Sequence, residues 1–548
     1  TRGISALNPE TQTIFEMGGE TSKFIRLDKG DHLLCAGIAD YQMNGDCAAG
    51  TGSFMDQQAS RLLYDIEDVG DIVLGAGKAA SIAGRCSVFA KSDMIHAQQK
   101  GYEPPEVLRG LCDAVMRNFK GTIAKGKVIE PPVAFIGGVA ANDGAVQSLR
   151  EAFGLDDGQL FIPEFHASMG AIGAALIEAD LESARGDAVG ALDIDRLPAA
   201  DFPVTEPLSM DRVVLLRDMA RPFDFADGDA VIDVYMGIDI GSVSTNLVVI
   251  DDDGAVVKEI YTKTDARPVE VVAKGLADIQ AEIGHRINLL GVGTTGSGRE
   301  LIGELTGADI ITDEITAHKT GADFIGRQID KQCDTIFEIG GQDSKFISLS
   351  NGAIVDFMMN KVCAAGTGSY LEEQAEKLGI RIREEFGALA LESENPVRMG
   401  ERCTVFMESD IVHHQQRGAS KRALVAGLSY SIVQNYLNKV AEDRPIGKRI
   451  FYQGATAANR GIVAAFQQVC GKPIHVPPHH DVTGAIGAAL LSMRERDWEV
   501  SRFKGFDLAD CTYKITSFEC KSCPNNCEIR QVQIEGEKPL FYGSRCEK

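Results

Sequence analysis

Two short glycine-containing turns, each close to an acidic residue, are the first feature of the sequence that could carry chemistry. Residues 237–242 read Gly-Ile-Asp-Ile-Gly-Ser, which places the carboxylate of Asp239 at a strand end and small residues in the turn that follows. Small residues let backbone N–H groups approach phosphate, and a carboxylate beside them can hold Mg²⁺ through water. Residues 340–343, Gly-Gly-Gln-Asp, offer a second turn of the same kind. We therefore expect two phosphate-binding turns, with Asp239 and Asp343 as the catalytic carboxylates.

A third loop, residues 454–459, reads Gly-Ala-Thr-Ala-Ala-Asn and precedes a helix, as expected for a loop on the adenosine side of a nucleotide. One glycine turn between strands is usually structural, but three in this order among strands and helices favour nucleotide binding. The nucleotide-contacting residues expected in these loops are Gly241, Ser242, Ser244, Thr245, Gly340, Gly341, Gln342, Gly454 and Asn459. Corresponding positions in an earlier copy of the same pattern are Gly18, Gly19, Gly137, Gly138 and Asn142.

The chain contains an internal duplication. Residues 14–25 reappear with few changes as residues 336–347, and the heptapeptide Cys-Ala-Ala-Gly-Thr-Gly-Ser occurs at 47–53 and again at 363–369. Three further blocks recur in the same order at nearly constant offsets. Self-similarity of this kind indicates a duplicated structural unit.

Two cysteines recur within the duplicated blocks. Cys47 of the first copy corresponds to Cys363 of the second, and Cys86 corresponds to Cys403. A single buried cysteine is usually a small hydrophobic residue, but recurrence at equivalent positions indicates a role in chemistry. The cysteines without a counterpart keep the structural interpretation; they are Cys35, Cys112, Cys333 and Cys470.

A second group of cysteines lies near the end of the sequence, comprising Cys511, Cys520, Cys523, Cys527 and Cys546. Their density, with an internal Cys-x₂-Cys-x₃-Cys pattern, indicates metal binding. Three interpretations stay open: a structural Zn²⁺ ribbon, a second iron–sulfur centre, or thiols that bind no metal.

The bulk composition excludes several classes of function. The net charge is −24, from 55 basic and 79 acidic residues, so we expect no nucleic acid partner, because such binding depends on Lys and Arg. No apolar stretch approaches the roughly 20 residues that span a membrane, and no secretory signal opens the sequence, so we expect no membrane partner. Thirteen cysteines in 548 residues do not make a secreted disulfide scaffold. They point to reduced thiols and a cytoplasmic location.

Alternating strands and helices predict α/β layers. We expect a first module over residues 1–181, a linker over 182–232, a complete second module over 233–495, and a cysteine-rich tail or the start of a further domain over 496–548. The second copy opens with a strand–turn–strand segment, residues 236–250, that has no equivalent before Thr1. We therefore expect the sequence to begin inside the first copy, as a fragment of a longer chain.

The order of phosphate turn, connecting helix, second phosphate turn and adenosine loop is similar to that of the actin, Hsp70 and sugar-kinase ATPase fold, which has ribonuclease H-like layers. The cysteine-containing blocks at residues 360–369 and 401–410 restrict this likeness to one family within the fold. They resemble the ATP-dependent activators (activases) of 2-hydroxyacyl-CoA dehydratases, a family that also includes ATPase subunits of benzoyl-CoA reductase. The likeness covers residues 12–180 and 233–495, so the chain resembles a duplicated, two-module version.

The resemblance implies an ATP-hydrolysing iron–sulfur protein. Family members usually form homodimers in which each subunit gives two cysteines to one [4Fe–4S] cluster. Here both halves would lie in one chain, with Cys47, Cys86, Cys363 and Cys403 as the ligands. Conversion of ATP to ADP with Mg²⁺ would move helices beside the cluster and make a stored electron strongly reducing. The implied acceptor is an acyl-CoA dehydratase, a related reductase or a double-cubane cluster protein, and the implied donor is ferredoxin or flavodoxin.

Several alternatives stay open. The first copy has Glu-Thr at residues 20–21 where the second has Gln-Asp at 342–343, so the first copy either uses Glu20 or binds nucleotide and hydrolyses it slowly. Lys23 and Lys345, which follow the second turn of each copy, either touch phosphate or lie on the surface. The competing functions are a small-molecule kinase of the same fold, although no phosphoacceptor base is evident, and a non-catalytic nucleotide-binding scaffold.

Overall fold

The structure is a computed structural model that describes most of the chain. The described residues are 1–28, 37–45, 48, 50–82, 90, 93–94, 97–98, 101–185, 202–225, 230–264, 267–360, 365–401, 403–508, 513–519, 528–534 and 539–542. The chain divides into two compact units. The first comprises Thr1–Thr205, Lys361–Ala365 and Val397–Leu424, and the second comprises Glu206–Asn360, Gly366–Pro396 and Val425–Lys548.

The first copy folds around one mixed sheet. Its strands are β1 (Thr13–Met17), β2 (Ser22–Asp28), β3 (Gly37–Met43), β4 (Val133–Ile136) and β5 (Leu160–Phe161). They lie in the order β3-β2-β1-β4-β5, with the first three strands antiparallel and the last two parallel to β1 and β4 respectively.

The second copy contains two more sheets with the same strand order. The strands are β6 (Val213–Leu215), β7 (Ile232–Ile240), β8 (Ser244–Asp251), β9 (Val256–Lys263), β10 (Ile287–Thr295), β11 (Ile310–Ile311), β12 (Thr335–Ile339), β13 (Ser344–Ser350), β14 (Ala353–Met359), β15 (Ile450–Gln453) and β16 (Ile474–Val476). One sheet has the order β11-β10-β7-β8-β9, and the other has the order β14-β13-β12-β15-β16-β6. Thus β6, which lies within the predicted linker, extends the last sheet by parallel pairing with β16.

The helices of the described ranges fill the layers around these sheets. They are α1 (Arg2–Leu7), α2 (Gly52–Arg61), α3 (Val69–Leu74), α4 (Pro104–Thr122), α5 (Asp143–Phe153), α6 (Met169–Arg185), α7 (Pro268–Ile283), α8 (Arg299–Thr306), α9 (Glu314–Gln328), α10 (Gly368–Lys377), α11 (Gly387–Leu391), α12 (Thr404–Gln416), α13 (Lys421–Tyr436), α14 (Arg460–Cys470) and α15 (Thr483–Arg494). None of them has both the length and the hydrophobicity needed to cross a lipid bilayer.

The duplicated hairpins fold alike because their sequence pattern is the same. In the first copy Phe15 lies opposite Phe24, with ring centroids 6.2 Å apart, and in the second Phe337 lies opposite Phe346 at 6.1 Å. All four rings are fully buried. Aromatic cross-strand pairs of this kind fix the register of a hairpin, and the register in turn places the next side chains, an acid and a lysine, opposite each other.

Two helices, α9 and α15, pack together and against β7 through glycine. A Cβ atom on Gly487 would overlap the carbonyl oxygen of Ala317, and one on Gly237 would overlap that of Ala485. Because there is no room for a side chain at these positions, the small residues of α15 let the helix backbones and the strand approach closely. This contact fixes α9 relative to β7, and both elements carry residues of the site described next.

The last described strands, β17 (Tyr513–Glu519), β18 (Glu528–Ile534) and β19 (Leu540–Tyr542), form a separate antiparallel sheet in the order β17-β18-β19. The tail cysteines lie outside the described residues.

Candidate functional site

A cleft that is open to solvent, with about 550 Å³ of empty space, lies in the second unit. The two glycine turns predicted from the sequence line it from opposite sheets, one between β7 and β8 and the other between β12 and β13. The N-terminal part of α9 and the loop after β15 also line the cleft, together with Asn246, Tyr261, Gly296 and Asp481. The strand ends and turns of two sheets therefore converge on one polar cleft.

The first turn is closed by a backbone hydrogen bond from the N–H of Gly241 to the carbonyl of Ser244, 2.9 Å long. The hydroxyl of Thr264 donates to the carbonyl of Gly241 at 2.8 Å and fixes the turn from outside. The side chain of Val243 projects towards the second turn, where a Cβ atom on Gly341 would overlap it. The two turns therefore touch, and glycine at position 341 is required by that contact.

The second turn is closed in the same way, since the N–H of Gly340 donates to the carbonyl of Asp343 at 2.9 Å. The carbonyl groups of this turn accept hydrogen bonds from the first backbone N–H groups of α10. The N–H of Gly368 donates to Gly340 O and the N–H of Ser369 donates to Gly341 O, both at 2.8 Å. The turn is thus anchored to a helix that begins five positions after Cys363.

A buried ionic group lies beside the second turn. The ammonium of Lys345 on β13 lies 2.9 Å from a carboxylate oxygen of Glu338 on β12 and 2.9 Å from one of Glu314 at the start of α9. The side chains of Lys345 and Glu338 are each only 4% exposed. Burial acts to lower the pKa of Lys345, but the carboxylates outweigh it and raise that pKa, so the lysine is charged. The alternative of a surface role for Lys345 is wrong.

Asp239 occupies a closed position at the end of β7. A Cβ atom on Gly296 would lie 2.6 Å from its Oδ1, and one on Gly484 would overlap its Oδ2. Burial, followed by the charge of Glu314, raises the pKa of Asp239 to about 7, although Lys345 opposes the shift. Removal of its proton near neutral pH is therefore sensitive to any cation that enters the cleft.

Burial and the charge of Lys345 also shift the pKa values of the other acidic groups beside the second turn. Burial raises the pKa of Asp343 and of Glu338, with Lys345 opposing in both cases. Burial also acts to raise the pKa of Glu314, but the charge and hydrogen bond of Lys345 outweigh it and lower that pKa.

His318, one turn along α9, is neutral because burial and Lys345 lower its pKa to about 3. Its Nδ1 lies 3.1 Å from the side-chain nitrogen of Gln453, which has hydrogen to donate, so Nδ1 accepts. This contact makes His318 a neutral, positioned group.

The charge balance of the cleft fits a bound cation. Five carboxyl groups line the cleft with a single ammonium, that of Lys345; they are those of Asp239, Glu314, Glu338, Asp343 and Asp481. Mg²⁺ binds through one or two carboxylates and keeps several waters. Among the ion pairs of the described residues, Lys345 pairs with Glu314 and Glu338 and not with Asp239 or Asp343. Asp239 and Asp343 are therefore the residues that would hold Mg²⁺.

The structure brings most of the predicted second-copy residues together. The cleft is lined by Asp239, Asp343, Gly241, Ser242, Ser244, Gly340, Gly341, Gln342 and Gly454. Thr245 and Asn459 are not part of this lining. Thr245 is fully buried and its hydroxyl lies 2.9 Å from that of Thr264, while the side chain of Asn459 caps α14 by accepting from the N–H of Gly461.

Sequence reasoning gave no role in the site to Glu314, Glu338 or His318, which also line the cleft. Two signals could have revealed Glu338 and Lys345. They occupy directly opposed positions of a predicted hairpin, and the same pair recurs as Glu16 and Lys23.

The first copy repeats the second turn in nearly identical form. The N–H of Gly18 donates to Thr21 O at 2.8 Å, and Glu16 and Lys23 form an ion pair. The lysine is less enclosed, however, with 29% of its side chain exposed, and its ammonium also contacts the hydroxyl of Thr21 at 3.2 Å.

The adenosine-side loop of the first copy also matches. Gly137 has φ 99°, close to the 89° of Gly454, and Asn142 caps α5 as Asn459 caps α14. Gly19 lies in the turn after β1, and Gly138 begins the short 3-10 turn after Gly137; their contact with nucleotide stays a prediction.

Among the four recurring cysteines, only Cys403 lies within the described residues; Cys47, Cys86 and Cys363 lie outside them. Cys403 is 5% exposed, stands at the N-cap of α12, and packs in one buried cluster with Ala48, Val405 and Phe406. Ala48 directly follows Cys47 in the sequence.

A second contact joins the same two segments of the first unit. The side-chain amide of Gln57 on α2 donates to a carboxylate oxygen of Glu408 on α12 at 2.9 Å. The helix after Cys47 and the helix after Cys403 therefore pack together, although they come from different copies. A buried thiol at a helix N-terminus fits a thiolate ligand, because the helix end favours negative charge. Within the described ranges no group of three or more His, Cys, Asp and Glu side chains is arranged to hold a metal.

Comparison with known proteins identifies the family. The model of the BadF/BadG/BcrA/BcrD ATPase family matches residues 1–178 and 236–492. The chain belongs to this family. Two matched segments, each with the repeated sheet, confirm the predicted duplicated actin-like α/β fold and the resemblance to activators of 2-hydroxyacyl-CoA dehydratases.

Individual relatives match about half of this chain. The 2-hydroxyisocaproyl-CoA dehydratase activator of Clostridioides difficile is 31% identical over 262 residues, which are 47% of this chain and 95% of that protein. The (R)-2-hydroxyglutaryl-CoA dehydratase activating ATPase of Acidaminococcus fermentans is 29% identical over 266 residues, 47% of this chain and 97% of that protein. An uncharacterized protein of Methanocaldococcus jannaschii is 32% identical over 262 residues, and the match spans 62% of its length.

Among solved structures, the activator of the 2-hydroxyisocaproyl-CoA dehydratase from Clostridium difficile with bound ADPNP aligns with 30% identity and a TM-score of 0.43. That alignment covers 48% of this chain and 95% of the other.

Proposed function

We propose that this chain is an ATP-hydrolysing electron-transfer protein that activates an acyl-CoA dehydratase, a related reductase or a double-cubane cluster protein. The observation that carries the proposal is the convergence of two glycine turns and five carboxyl groups on one cleft of the second unit. The dehydratase activators named among the relatives support the choice of partner.

In this proposal the second module binds Mg²⁺ and ATP. The backbone of residues 241–244 and 340–343 would hold the phosphates, because small residues leave the turns open to close approach. Asp239 would hold Mg²⁺ through water, and Asp343 would orient the metal or the attacking water. Lys345, bound to Glu314 and Glu338, offsets part of the negative charge of this wall. The loop beginning at Gly454 would face the adenosine.

The recurring cysteines are proposed as ligands of one [4Fe–4S] cluster, namely Cys47, Cys86, Cys363 and Cys403. Support comes from the buried cluster that Cys403 shares with Ala48 and from the paired helices α2 and α12. When bound, the cluster would supply one-electron transfer at a potential that the surrounding amides and solvent access tune. Ferredoxin or flavodoxin is the proposed electron donor.

Copy one is proposed to bind nucleotide and hydrolyse it more slowly than copy two. Thr21 stands where the second copy has Asp343, so the turn offers a hydroxyl in place of a carboxylate. Neutral hydroxyls position phosphate but do not hold Mg²⁺ as firmly as carboxylates do. The metal of the tail cysteines, Zn²⁺ or iron–sulfur, stays a prediction from sequence.

The test of the nucleotide site is the rate of ATP hydrolysis by Asp239→Asn in the anaerobically purified chain. We expect kcat to fall by about a hundredfold or more, the order found when a group that stabilises developing charge is lost. Asp233→Asn, on the same strand but at its exposed end, is the matched control and is expected to keep the wild-type rate. Unchanged hydrolysis in Asp239→Asn would remove the second module as the ATPase.

A further inference from the structure

A continuous chain of contacts leads from the first phosphate turn to helix α10. Val243 of the first turn packs against Gly341 of the second so closely that a Cβ atom at 341 would overlap it. The carbonyl of Gly341 accepts the N–H of Ser369, and the carbonyl of Gly340 accepts the N–H of Gly368. Any displacement of the second turn is therefore passed directly to the first turn of α10.

The second turn and the first residue of α10 are also closely packed. A Cβ atom on Gly368 would lie 2.8 Å from the carbonyl oxygen of Gly340 and 3.2 Å from the methyl carbon of Thr456. Thr456 is itself held by a hydrogen bond from its hydroxyl to the carbonyl of Ile339, 2.9 Å long. Only glycine at position 368 allows the helix to start in contact with the turn.

The first copy has kept this link while changing other residues of its turn. The N–H of Gly52 donates to Gly18 O at 2.8 Å, and the N–H of Ser53 donates to Gly19 O at 2.9 Å. A Cβ atom on Gly52 would lie 3.0 Å from Gly18 O. The link therefore recurs in a copy whose turn has lost the aspartate of the second copy, as expected if it transmits movement and does not serve hydrolysis itself.

We propose that Gly368 and Ser369 are positioning residues that couple nucleotide occupancy of the cleft to the helix that begins after Cys363, with Gly52 and Ser53 in the same role after Cys47. The inference rests on the proposed nucleotide site and on the helix movement that the family resemblance implies, and it adds the residues through which the site would act on the helix. A phosphate that binds the second turn would strengthen the two hydrogen bonds from the turn to α10, and loss of that phosphate would weaken them.

The test is hydrogen exchange of the full chain, with and without a non-hydrolysable ATP analogue and Mg²⁺, read in peptides that span residues 366–377. In the wild type the analogue should slow exchange at the first amides of α10 by about fivefold, the effect of strengthening one hydrogen bond. In Gly368→Ala the analogue should still bind, within about threefold of the wild-type Kd, since Gly368 does not line the cleft, but it should leave this exchange unchanged.

Two further variants keep the test decisive. Ser369→Pro removes one donor of the link at a helix position that tolerates proline and should reduce the effect even if Gly368→Ala folds poorly. Gly121→Ala, in α4 with nothing within 4 Å of the added methyl, is the control and should behave as wild type.

Three outcomes contradict the proposal in distinguishable ways. If the wild type binds the analogue and α10 does not respond, or if both link variants keep the full response, the coupling is refuted and the ATP site stands. If the wild type does not bind the analogue at all, the proposed function fails together with the coupling.

Discussion

Ala48 and Cys403 share one buried cluster, although the first belongs to copy one and the second to copy two. Ala48 is fully buried and follows Cys47, and Cys403 stands at the N-cap position of α12. The cluster lies inside the first unit, which takes in residues 397–424 of the second copy. Segments of both copies therefore meet beside one predicted ligand from each.

Enlarging Ala48 should disturb this meeting point. Ala48→Leu inserts three carbon atoms into the cluster that contains Cys403 and Phe406, and it is expected to lower the iron content of the purified chain to less than about half, because overpacking moves neighbouring groups. The control is Ala59→Leu, which overfills the core of the first copy alone and should destabilise the chain while keeping its iron. Equal iron in Ala48→Leu and wild type would argue that this contact is unrelated to a metal centre.

Loss of Lys345 should destabilise the chain more than loss of Lys23. Lys345→Met leaves Glu314 and Glu338 buried without their partner, which costs about 3–5 kcal/mol in comparable buried pairs. Lys23 has one carboxylate partner and is 29% exposed, so Lys23→Met should cost about 1 kcal/mol or less. The midpoints of thermal unfolding compare the two variants, and adding Glu338→Gln to Lys345→Met should recover part of the loss.

An equal or smaller shift of the midpoint in Lys345→Met than in Lys23→Met would show that the ionic group of the second copy is solvated in solution.

Asp239 should make the stability of the metal-free chain depend on pH. Its pKa is raised from 3.8 to about 7, so the folded state holds the proton more tightly than the unfolded state does. Stability from this group is therefore greatest below the unfolded pKa and is lost as the pH rises to about 7. Asp239→Asn has no such proton, and its advantage over wild type should grow by an amount on the order of 2 kcal/mol between about pH 5.5 and about pH 8.

Thermal unfolding of both proteins across this range, in the presence of a chelator, measures the difference. Adding Mg²⁺ with ATP should favour the ionised carboxylate and stabilise the wild type selectively. A constant difference between the two proteins at every pH would mean that Asp239 is ionised throughout.

Much of the fold was predictable because the repeated sequence blocks reveal the duplication directly. The aromatic pairs Phe15–Phe24 and Phe337–Phe346 and the glycine turns after β1 and β12 recur at matching positions, and the structure folds them alike. The predicted catalytic carboxylates Asp239 and Asp343 line one cleft because each lies in or beside a glycine turn between two strands. Short-range patterns specify turns and hairpins, and here both turns had such patterns.

The parts that sequence reasoning missed depend on contacts between distant segments. Glu314 meets Lys345 only because α9 is held against α15, a packing set by Gly487 and its neighbours. The strand β6 joins the sheet of the second copy through β16, although its surroundings have the prolines and acids of a linker. Local composition carries no information about the packing of α9 on α15 or of β6 on β16, because the partners lie 170 and 261 residues apart in the sequence.

The central claim is that thiolates from both copies hold one metal centre, and iron analysis of the Cys403→Ser variant tests it most directly. The anaerobically purified wild type is expected to be brown, and Cys403→Ser to contain about four fewer iron atoms per chain, the content of one [4Fe–4S] cluster. Cys523→Ser, in the tail, controls for iron held elsewhere and should leave those four atoms in place. A colourless wild-type chain, or a Cys403→Ser variant with undiminished iron, would contradict the account.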